Sequence, residues 1–362
     1  MGRGEVTAAL RADPAPKAPE GKEPEARGVQ GRHRSGRSLQ MLRYAARRLA
    51  YSVPVLLVAS FVFFWAVRST FDPLTKLRQA RDPGVLARES ARLGLDRPVI
   101  EQYGLWMKAF VTGDWGVSTR TGDRAQAMIG SAFGTTLQLI GWAVLFAVVV
   151  ALAIGTYSAA RRYSLGDHLL TGLSYLGVAM PAFWLGLLLI EVFAIWPREQ
   201  FGLQQPPLYF VGLHSPGMSG VNADYFRHLV LPVMTLTVGL IASWSRFSRA
   251  SMLEALNSDY VKTARAKGVP PRRIFLRHVL RNSLAPFVTV VAADTALLIG
   301  GLVVTEQIFA ISGMGRLFLD SLLAGDVYVL LPWMLIVALA MVLFNLAADL
   351  GYALLDPRVT LR

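Results

Sequence analysis

The sequence predicts an all-α integral membrane protein of six transmembrane helices, with a helical elbow on the cytoplasmic side between spans four and five. Apolar residues make up 53% of the 362 positions and charged residues 17%, a more apolar balance than soluble domains usually have. The apolar residues lie in long runs, and a spanning helix needs about 20 of them to cross about 30 Å of hydrocarbon. Helices are expected because a helix satisfies its backbone hydrogen bonds within its own segment.

Six apolar runs meet this length, and the charges between them orient the chain. The runs lie at about 49–68, 133–158, 168–196, 228–245, 284–305 and 329–355. Lys and Arg cluster at 43–48, before the first run, and at Arg161–Arg162, after the second, whereas 197–227 and 306–328 hold few. Basic residues are retained on the cytoplasmic side, so both termini are predicted to be cytoplasmic in a multi-pass protein of the cell membrane.

The segments outside the runs differ in composition. Residues 1–40 are rich in Gly, Pro, Ala and charge, which predicts a disordered basic cytoplasmic tail before a membrane domain at 41–362. Met41 also resembles a translation start. The outer loop at 69–132 is long enough that its charge does not dictate its side. Within it, residues 93–106 place apolar side chains on one helical face, which predicts a short amphipathic helix at the outer membrane surface. The Pro- and Gly-rich segment 197–227 predicts an irregular outer loop.

The basic loop at 246–283 is predicted to be a stiff elbow. Residues Leu253–Lys267 are mostly good helix formers, Gly268 supplies a stop, and Pro270–Pro271 supply a restart. The helical pattern then continues into span five. One face of the first arm holds Tyr260, Thr263, Ala264 and Lys267.

Three interpretations of the elbow are open at this point. In the first, the charges of the elbow serve only to set the membrane topology. In the second it is a DNA-reading helix-turn-helix, which is disfavoured because the loop has no independent core and is tethered to the bilayer at both ends. In the third it is a docking element for a cytoplasmic partner.

A series of short motifs bears on this choice. They are "LGLDRP" from Leu93, "GDWGVS" at 113–118, "MPAFWLG" at 180–186, "DYVKTARAKG" at 259–268, "RHVLRNSLAP" at 277–286, "TEQIF" at 305–309 and "DPR" at 356–358. In this order the motifs resemble the permease subunits of peptide-type (dipeptide and oligopeptide) ABC importers, the binding-protein-dependent transport inner-membrane components. The resemblance covers residues 41–362.

The resemblance implies a six-span permease domain and a set of partners. These are a second homologous permease in a heterodimer, two cytoplasmic ATP-binding subunits, an extracytoplasmic substrate-binding lipoprotein, membrane lipid and a peptide substrate, with no nucleic acid. ATP and Mg²⁺ would be bound by the ATPase subunits and no cofactor by this chain. The first arm of the elbow would be a coupling helix gripped by an ATPase, with coupling positions at Asp259, Tyr260, Thr263, Ala264, Ala266 and Gly268. One departure concerns Lys262-Thr263-Ala264, which stand where the wider ABC-permease signature begins Glu-Ala-Ala.

The sequence carries no recognisable catalytic motif. It has no cysteine, which excludes thiol chemistry, and no G-x-x-x-x-G-K-[ST] phosphate loop. Its five histidines lack metal-ligand spacing. We therefore expect a non-catalytic subunit without a metal. A channel or a secondary transporter that works without ATPases is the alternative from another class.

Ionisable residues and helix breakers within the runs predict a translocation pathway. The pathway residues are Asp294, Gly300, Gly301, Glu306 and Pro181. A charge at membrane depth is costly, so Asp294 either lines a cavity or is paired inside the bundle. Pro181, like Pro232, is expected to interrupt its span, and Gly300–Gly301 to loosen span five; plain helix packing is the other interpretation. Asp349, near the inner end of span six, is expected to meet a basic neighbour.

The resemblance gives the expected function as import of short peptides by alternating access. The same family also carries nickel chelates and some glycosides, and selection belongs largely to the separate binding protein. The sequence therefore leaves the cargo open within this family.

Overall fold

A computed structural model describes residues 26–72, 83–300 and 302–355, and these ranges consist of helices and irregular connections without a β-strand. The α-helices are α1 Ala26–Thr70, α2 Pro83–Leu93, α3 Val99–Thr112, α4 Ala125–Ala160, α5 Leu165–Ala179, α6 Ala182–Ile190, α7 Trp196–Gln200, α8 Ala223–Leu256, α9 Asp259–Ala266, α10 Pro271–Ile274, α11 Leu280–Leu298, α12 Val303–Ile308, α13 Met314–Ala324 and α14 Val327–Leu355. Two π-helical turns, Glu191–Ile195 and Phe275–Val279, join α6 to α7 and α10 to α11. The all-α prediction is confirmed.

Within the described ranges, four helices are long and apolar enough to cross a membrane. They are Met41–Thr70, Ala125–Ala160, Ala223–Leu256 and Val327–Gly351. The pair Leu165–Ala179 and Ala182–Gln200 also passes, so the number rises to five if this bent pair is one span. The predicted run 284–305 corresponds to α11, which is not among these helices and carries both Arg281 and Asp294. The count of six spans is therefore not confirmed.

The break between α5 and α6 is sharper than a kinked span. The two helices meet at 103°. Met180 and Pro181 both have extended backbones, with ψ of 123° and 133°. At Met180 the extended conformation is expected, because the ring of a proline disfavours the helical conformation of the residue before it. Pro232 behaves differently: α8 continues through it from Ala223 to Leu256. The expected interruption is thus found at Pro181 and is wrong at Pro232.

Two long helices, α4 and α8, form the centre of the bundle. They pack through small residues: a Cβ added at Gly155 of α4 would lie 2.7 Å from Ser248 Cβ and 3.0 Å from the Ser245 carbonyl of α8. Small residues at a crossing let helix backbones approach closely. Around this crossing, Trp244 and Phe287 are fully buried with alanines of α4. The helices that carry the candidate functional residues therefore pack around the α4–α8 pair.

The end of the bundle at Ala125 is closed by α3, α13 and the loop at 201–222. Met314 and Val329 pack on Ala125 and Ile129, so the start of α14 lies beside the start of α4. The irregular loop predicted within 197–227 is found at 201–222, and the Gly212 N–H donates to the Phe309 carbonyl at 2.8 Å. We call this the far end, because the elbow lies at the other end of α4.

The amphipathic helix predicted at 93–106 is found at a different register. The structure places α3 at Val99–Thr112 and turns the chain before it, where Gly94 has a φ of +59°. Leu93 and Leu95 therefore lie outside α3, because the turn and Pro98 end one helix before the next begins. Tyr103 and Trp106 of α3 pack against Phe64 of α1.

Two predicted segments extend beyond the described residues. The chain before Ala26 and after Leu355, including the "DPR" motif, lies outside them. Helix α1 begins at Ala26, so residues 26–40 of the predicted disordered tail are helical in the structure. At the other end of α1, the predicted outer loop 69–132 contains α2, α3 and the first turns of α4.

Substituting Gly155→Ala should destabilise the bundle by about 1–3 kcal/mol, because the added methyl overpacks the α4–α8 crossing. The matched control is Gly141→Ala, in the same helix, where a Cβ would meet nothing within 4 Å. Thermal unfolding of the purified chain in detergent should show a lower Tm for the first variant and an unchanged or higher one for the second. A Gly155→Ala protein as heat-stable as its control would contradict the close crossing.

Candidate functional site

The elbow, residues 257–274, begins one turn later than the sequence indicated. Helix α8 runs to Leu256, and Asn257 and Ser258 interrupt it before α9 starts at Asp259. Ser258 has an extended backbone, with φ −70° and ψ 155°, which ends one helix and opens the next. The single arm Leu253–Lys267 predicted here is therefore wrong; the first arm is α9 alone.

The stop predicted at Gly268 is confirmed in detail. Gly268 has a φ of +73°, its N–H donates to the Arg265 carbonyl at 2.9 Å, and the Val269 N–H donates to the Ala264 carbonyl at 3.1 Å. These two bonds are the Schellman pattern that closes a helix, and a glycine suits the left-handed residue in it. Val269 and Ala264 both pack against the same buried apolar cluster, at the two positions where this pattern usually carries apolar residues. The bend has one defined conformation.

The restart is also as predicted. Pro270 precedes α10, Pro271 is its first residue, and the N–H groups of Arg273 and Ile274 donate to the Pro270 carbonyl at 2.9 and 3.1 Å. Proline suits this position because the N–H it lacks would have no partner inside the helix. From α10 the helical path continues without a break through the π turn into α11.

The underside of the elbow is buried against the membrane helices. Val261 of α9 and Ile274 of α10 are 0% and 2% exposed, and they pack with Ala159 of α4 and Met252 of α8. The elbow thus has a small apolar core, which it shares with the bundle. This arrangement fits a lever attached to the bundle and gives no support to a free DNA-reading module.

The opposite side of the elbow is exposed. Five of the six predicted coupling positions have exposed side chains or backbone: Asp259, Tyr260, Thr263, Ala266 and Gly268. Ala264 is the exception, because it is half-buried and packs on the core beneath α9. Asp259 and Lys262 form an exposed ion pair at 2.8 Å. Tyr260, Thr263 and Lys267 share an exposed face, as the spacing predicted, but Ala264 does not.

Asp294, the predicted pathway carboxylate, has a partner inside the bundle. Its Oδ2 accepts a hydrogen bond from Trp244 Nε1 at 2.7 Å, and Trp244 is fully buried on α8. Asp294 itself is half-buried. Of the two alternatives left open, the structure gives Asp294 the internal partner; its role in a pathway stays a prediction.

Glu306 lies in a closed polar cluster at the far end. Its side chain is 0% exposed, Thr136 Oγ1 donates to Oε1 at 2.7 Å, and the Arg316 N–H donates to Oε2 at 2.9 Å. The Met314 N–H donates to Thr136 Oγ1 at 2.8 Å. Glu306 and Thr136 therefore cap the first turn of α13, where the backbone N–H groups have no partner within the helix.

The remaining pathway candidates lie at helix ends. A Cβ added at Gly300 would be 3.3 Å from Met341 Cε, so this glycine packs closely on α14. Gly301 lies outside the described residues. Pro181 is exposed at the bend between α5 and α6.

Two ion pairs hold the elbow end of the bundle. Arg249 of α8 binds Asp167 of α5 through Nε–Oδ1 and Nη2–Oδ2, both at 2.8 Å, and Asp167 is almost fully buried. Asp167 also accepts from the N–H of Tyr163, whose φ is +64°. This pair is not among the sequence predictions; the available signal was Asp167, a single acid shortly after Arg161–Arg162. Asp349 pairs with Arg48, which confirms the expected basic neighbour.

No group of three or more His, Asp or Glu side chains is placed to hold a metal within the described residues.

The amino-acid sequence of this chain is similar to known membrane proteins over most of its length. Residues 151–361 match the family described as binding-protein-dependent transport system inner membrane component. The chain belongs to this family. Residues 41–151 match the N-terminal membrane component of the same kind of system. The chain is a multi-pass membrane permease of this family, which agrees with the four or five apolar spans found among the described residues.

Relatives match over nearly their whole length. The chain is 35% identical over 331 residues to a dipeptide transport system permease protein of Alkalihalophilus pseudofirmus, and 35% over 332 residues to an oligopeptide transport system permease protein of Bacillus subtilis. Each match covers 88% of this chain and 99% of the relative. A solved structure titled as the inward facing MetNI methionine ABC transporter is 16% identical, with a TM-score of 0.48 over 64% of this chain and 97% of that one.

Replacing Gly268 with proline should open the elbow to trypsin, because proline cannot adopt a φ near +73° and lacks the N–H that binds Arg265. Gly268→Asn is the matched control, since Asn tolerates the left-handed conformation and a Cβ at this position meets nothing within 4 Å. In membranes with the elbow accessible, cleavage after Lys262 and Arg265 should be fast in the proline variant and close to wild type in the control; the bond after Lys267 is not used, because trypsin does not cleave before proline. Equal protection of both variants would show that the bend does not need this glycine.

Substituting Thr136→Val should destabilise the far end by about 1–3 kcal/mol for each buried polar group left without a partner, because the hydroxyl serves both Glu306 and the Met314 N–H. Thr289→Val is the control, since the Thr289 hydroxyl is exposed and binds only the Ala285 carbonyl of its own helix. A lowered Tm is expected for the first variant alone. If both variants have the same Tm as the wild type, the capping of α13 does not contribute to stability.

Proposed function

We propose that this chain is the permease subunit of an ATP-driven importer that moves short peptides, dipeptides and oligopeptides, across the cytoplasmic membrane by alternating access. The observation that carries the proposal is the full-length similarity to relatives named for dipeptide and oligopeptide transport. The chain itself is non-catalytic. A second homologous permease completes the pathway, two cytoplasmic ATPases bind ATP and Mg²⁺, and a substrate-binding lipoprotein delivers the peptide.

In this proposal α9 is the coupling helix that an ATPase grips. Its exposed side carries Tyr260 and Thr263, and its buried side carries Val261, so a partner has a firm surface to push. The path from α10 through the π turn to α11 is continuous, so displacement of the elbow moves α11. Reversing a two-state equilibrium from 1:99 to 99:1 takes about 5.5 kcal/mol of differential binding, which a flexible loop would not transmit.

Helices α4 and α5 give the elbow a second connection to the bundle. Ala159 at the end of α4 contributes to the core beneath α9, and the Arg249–Asp167 pair ties α8 to the start of α5. Because α5 continues into the bend at Pro181, motion at the elbow reaches both arms of this bent pair. The proposed orientation places the elbow and Arg161–Arg162 in the cytoplasm, as the positive-inside rule favours.

Asp294, Gly300, Glu306 and Pro181, with Gly301, are proposed to border the translocation pathway. Asp294 and Gly300 lie on or just after the helix that the elbow moves, and Glu306 follows it at the far end. Contacts made by backbone and small residues suit a peptide cargo, since one set of contacts must serve many side chains.

Thr263→Trp should lower ATP-dependent peptide uptake by about tenfold or more, because an indole in a packed interface costs on the order of 1–3 kcal/mol. The control is Thr263→Ser, which keeps the hydroxyl that binds the Asp259 carbonyl and adds no bulk. Uptake of labelled di- and tetrapeptides is measured in liposomes that contain the purified assembly, the binding protein and internal ATP. The assembly should copurify with both variants.

Three results would contradict the proposal. Normal uptake by Thr263→Trp would remove α9 as the coupling helix. Flux through the chain alone, without nucleotide, would favour a channel or secondary transporter. If unlabelled peptides do not compete with uptake of the labelled peptides, and a nickel chelate or a glycoside is taken up, another cargo would be assigned to the same transporter.

A further inference from the structure

Two adjoining cavities form a groove between α1, α3 and α14. One, of ≈ 100 Å³, lies at the far end beside Phe64, Arg68 and Gln102. The other, of ≈ 60 Å³, continues toward the middle of α1 beside Leu56, Ala59 and Ala338. The two share the side chains of Trp106 and Leu331 as walls. The lining residues of α1 recur at helical spacing, so a single face of α1 borders the whole groove.

The length of the groove matches one leaflet of a bilayer. Leu56 and Arg68 lie 12 positions apart on α1, which is about 18 Å at about 1.5 Å per residue. Half of a hydrocarbon core of about 30 Å is about 15 Å. The inner part of the groove is lined almost entirely by apolar side chains, with Ser60 as the polar exception. An extended acyl chain therefore fits its dimension and its chemistry.

The end of the groove at Arg68 is polar and carries both signs of charge. Arg68 Nε donates to Gln102 Oε1 at 3.1 Å, and the amide of Gln102 donates to the Arg97 carbonyl, so the guanidinium is held in place. Its other N–H groups have no protein acceptor among the described residues. Asp114 lines the same cavity. A carboxylate has about four acceptor sites, so Asp114 can bind an ammonium in addition to the contacts it already makes.

We propose that this groove binds one phosphoethanolamine lipid from the leaflet opposite the elbow. Its acyl chain lies along α1 between Leu56 and Leu331, its phosphate binds Arg68, and its ammonium binds Asp114. The assignment to that leaflet follows from the packing, since α14 begins beside the start of α4 and the elbow lies at the other end of α4. The lipid joins α1, α3 and α14, which meet there through aromatic contacts such as Phe64–Trp106 at 5.7 Å. This site is separate from the elbow and does not depend on the cargo.

Native mass spectrometry of the assembly purified with its partners tests the proposal. The protein is equilibrated in micelles that contain equal amounts of phosphatidylethanolamine and phosphatidylglycerol, and then activated gradually. We expect one phosphatidylethanolamine to survive on this chain after bulk lipid is lost. Arg68→Gln should reduce its retention by about tenfold or more, as expected for loss of a charge-assisted hydrogen bond. Inorganic phosphate at millimolar concentration should not displace it, because the acyl chain supplies part of the binding.

A second pair of variants keeps the test valid if Arg68→Gln does not fold. Ala59→Phe fills the inner part of the groove and should remove the retained lipid. Val58→Phe, at the adjacent position, where the side chain is 65% exposed and outside the lining, should leave it bound. Absence of a retained lipid in the wild-type assembly, equal retention of both lipid classes, or retention unaffected by Ala59→Phe would each overturn the proposal.

Discussion

The burial of Val261 and Ile274 against the ends of α4 and α8 makes the elbow a structural element. Without this contact, a segment punctuated by Gly268 and Pro270 would be a solvent-exposed loop held only at its ends. Burying an aliphatic side chain of this size contributes about 1.5–3 kcal/mol. Two such side chains, one on each arm, fix the bend on the bundle. The surface presented by Tyr260 and Thr263 is positioned only because the other side of α9 is anchored.

The breaks in the helices follow a second constraint, which is that backbone groups buried in lipid or protein need partners. At Gly268 the Schellman bonds supply them. At the start of α13 the side chains of Glu306 and Thr136 supply them. At Asp167 a carboxylate receives both the Tyr163 N–H and the Arg249 guanidinium. At each of these three breaks a polar group therefore satisfies the backbone, and the buried carboxylates of Glu306 and Asp167 are explained first by this local need.

The sequence predicts the parts of this structure that local chemistry determines. Gly268 and Pro270–Pro271 could be assigned because a left-handed stop and a proline restart depend on neighbouring residues only. Pro181 and Pro232 look alike in sequence, yet only the first breaks its helix, because the packing around α8 holds its path. Nothing near Glu306 indicates its partner Thr136, which is 170 positions away.

The face of α9 was predicted less well than its position. Spacing groups Ala264 with Tyr260 and Thr263, but the bundle beneath α9 draws Ala264 inward. The break at Asn257 was missed for a similar reason, since Leu253–Lys267 is a good helix in isolation. Which side of an amphipathic segment is buried depends on neighbours that the segment itself does not encode.

The hydrogen bond from Trp244 to Asp294 means that this carboxylate has two separable properties, a negative charge and an acceptor oxygen. An amide in its place would retain the oxygen and the indole contact while neutralising the side chain, whereas a methyl would abolish both. Electrostatic attraction of a cationic amino terminus can therefore be distinguished from the hydrogen bond that holds Trp244, even though both properties belong to the carboxyl group of Asp294.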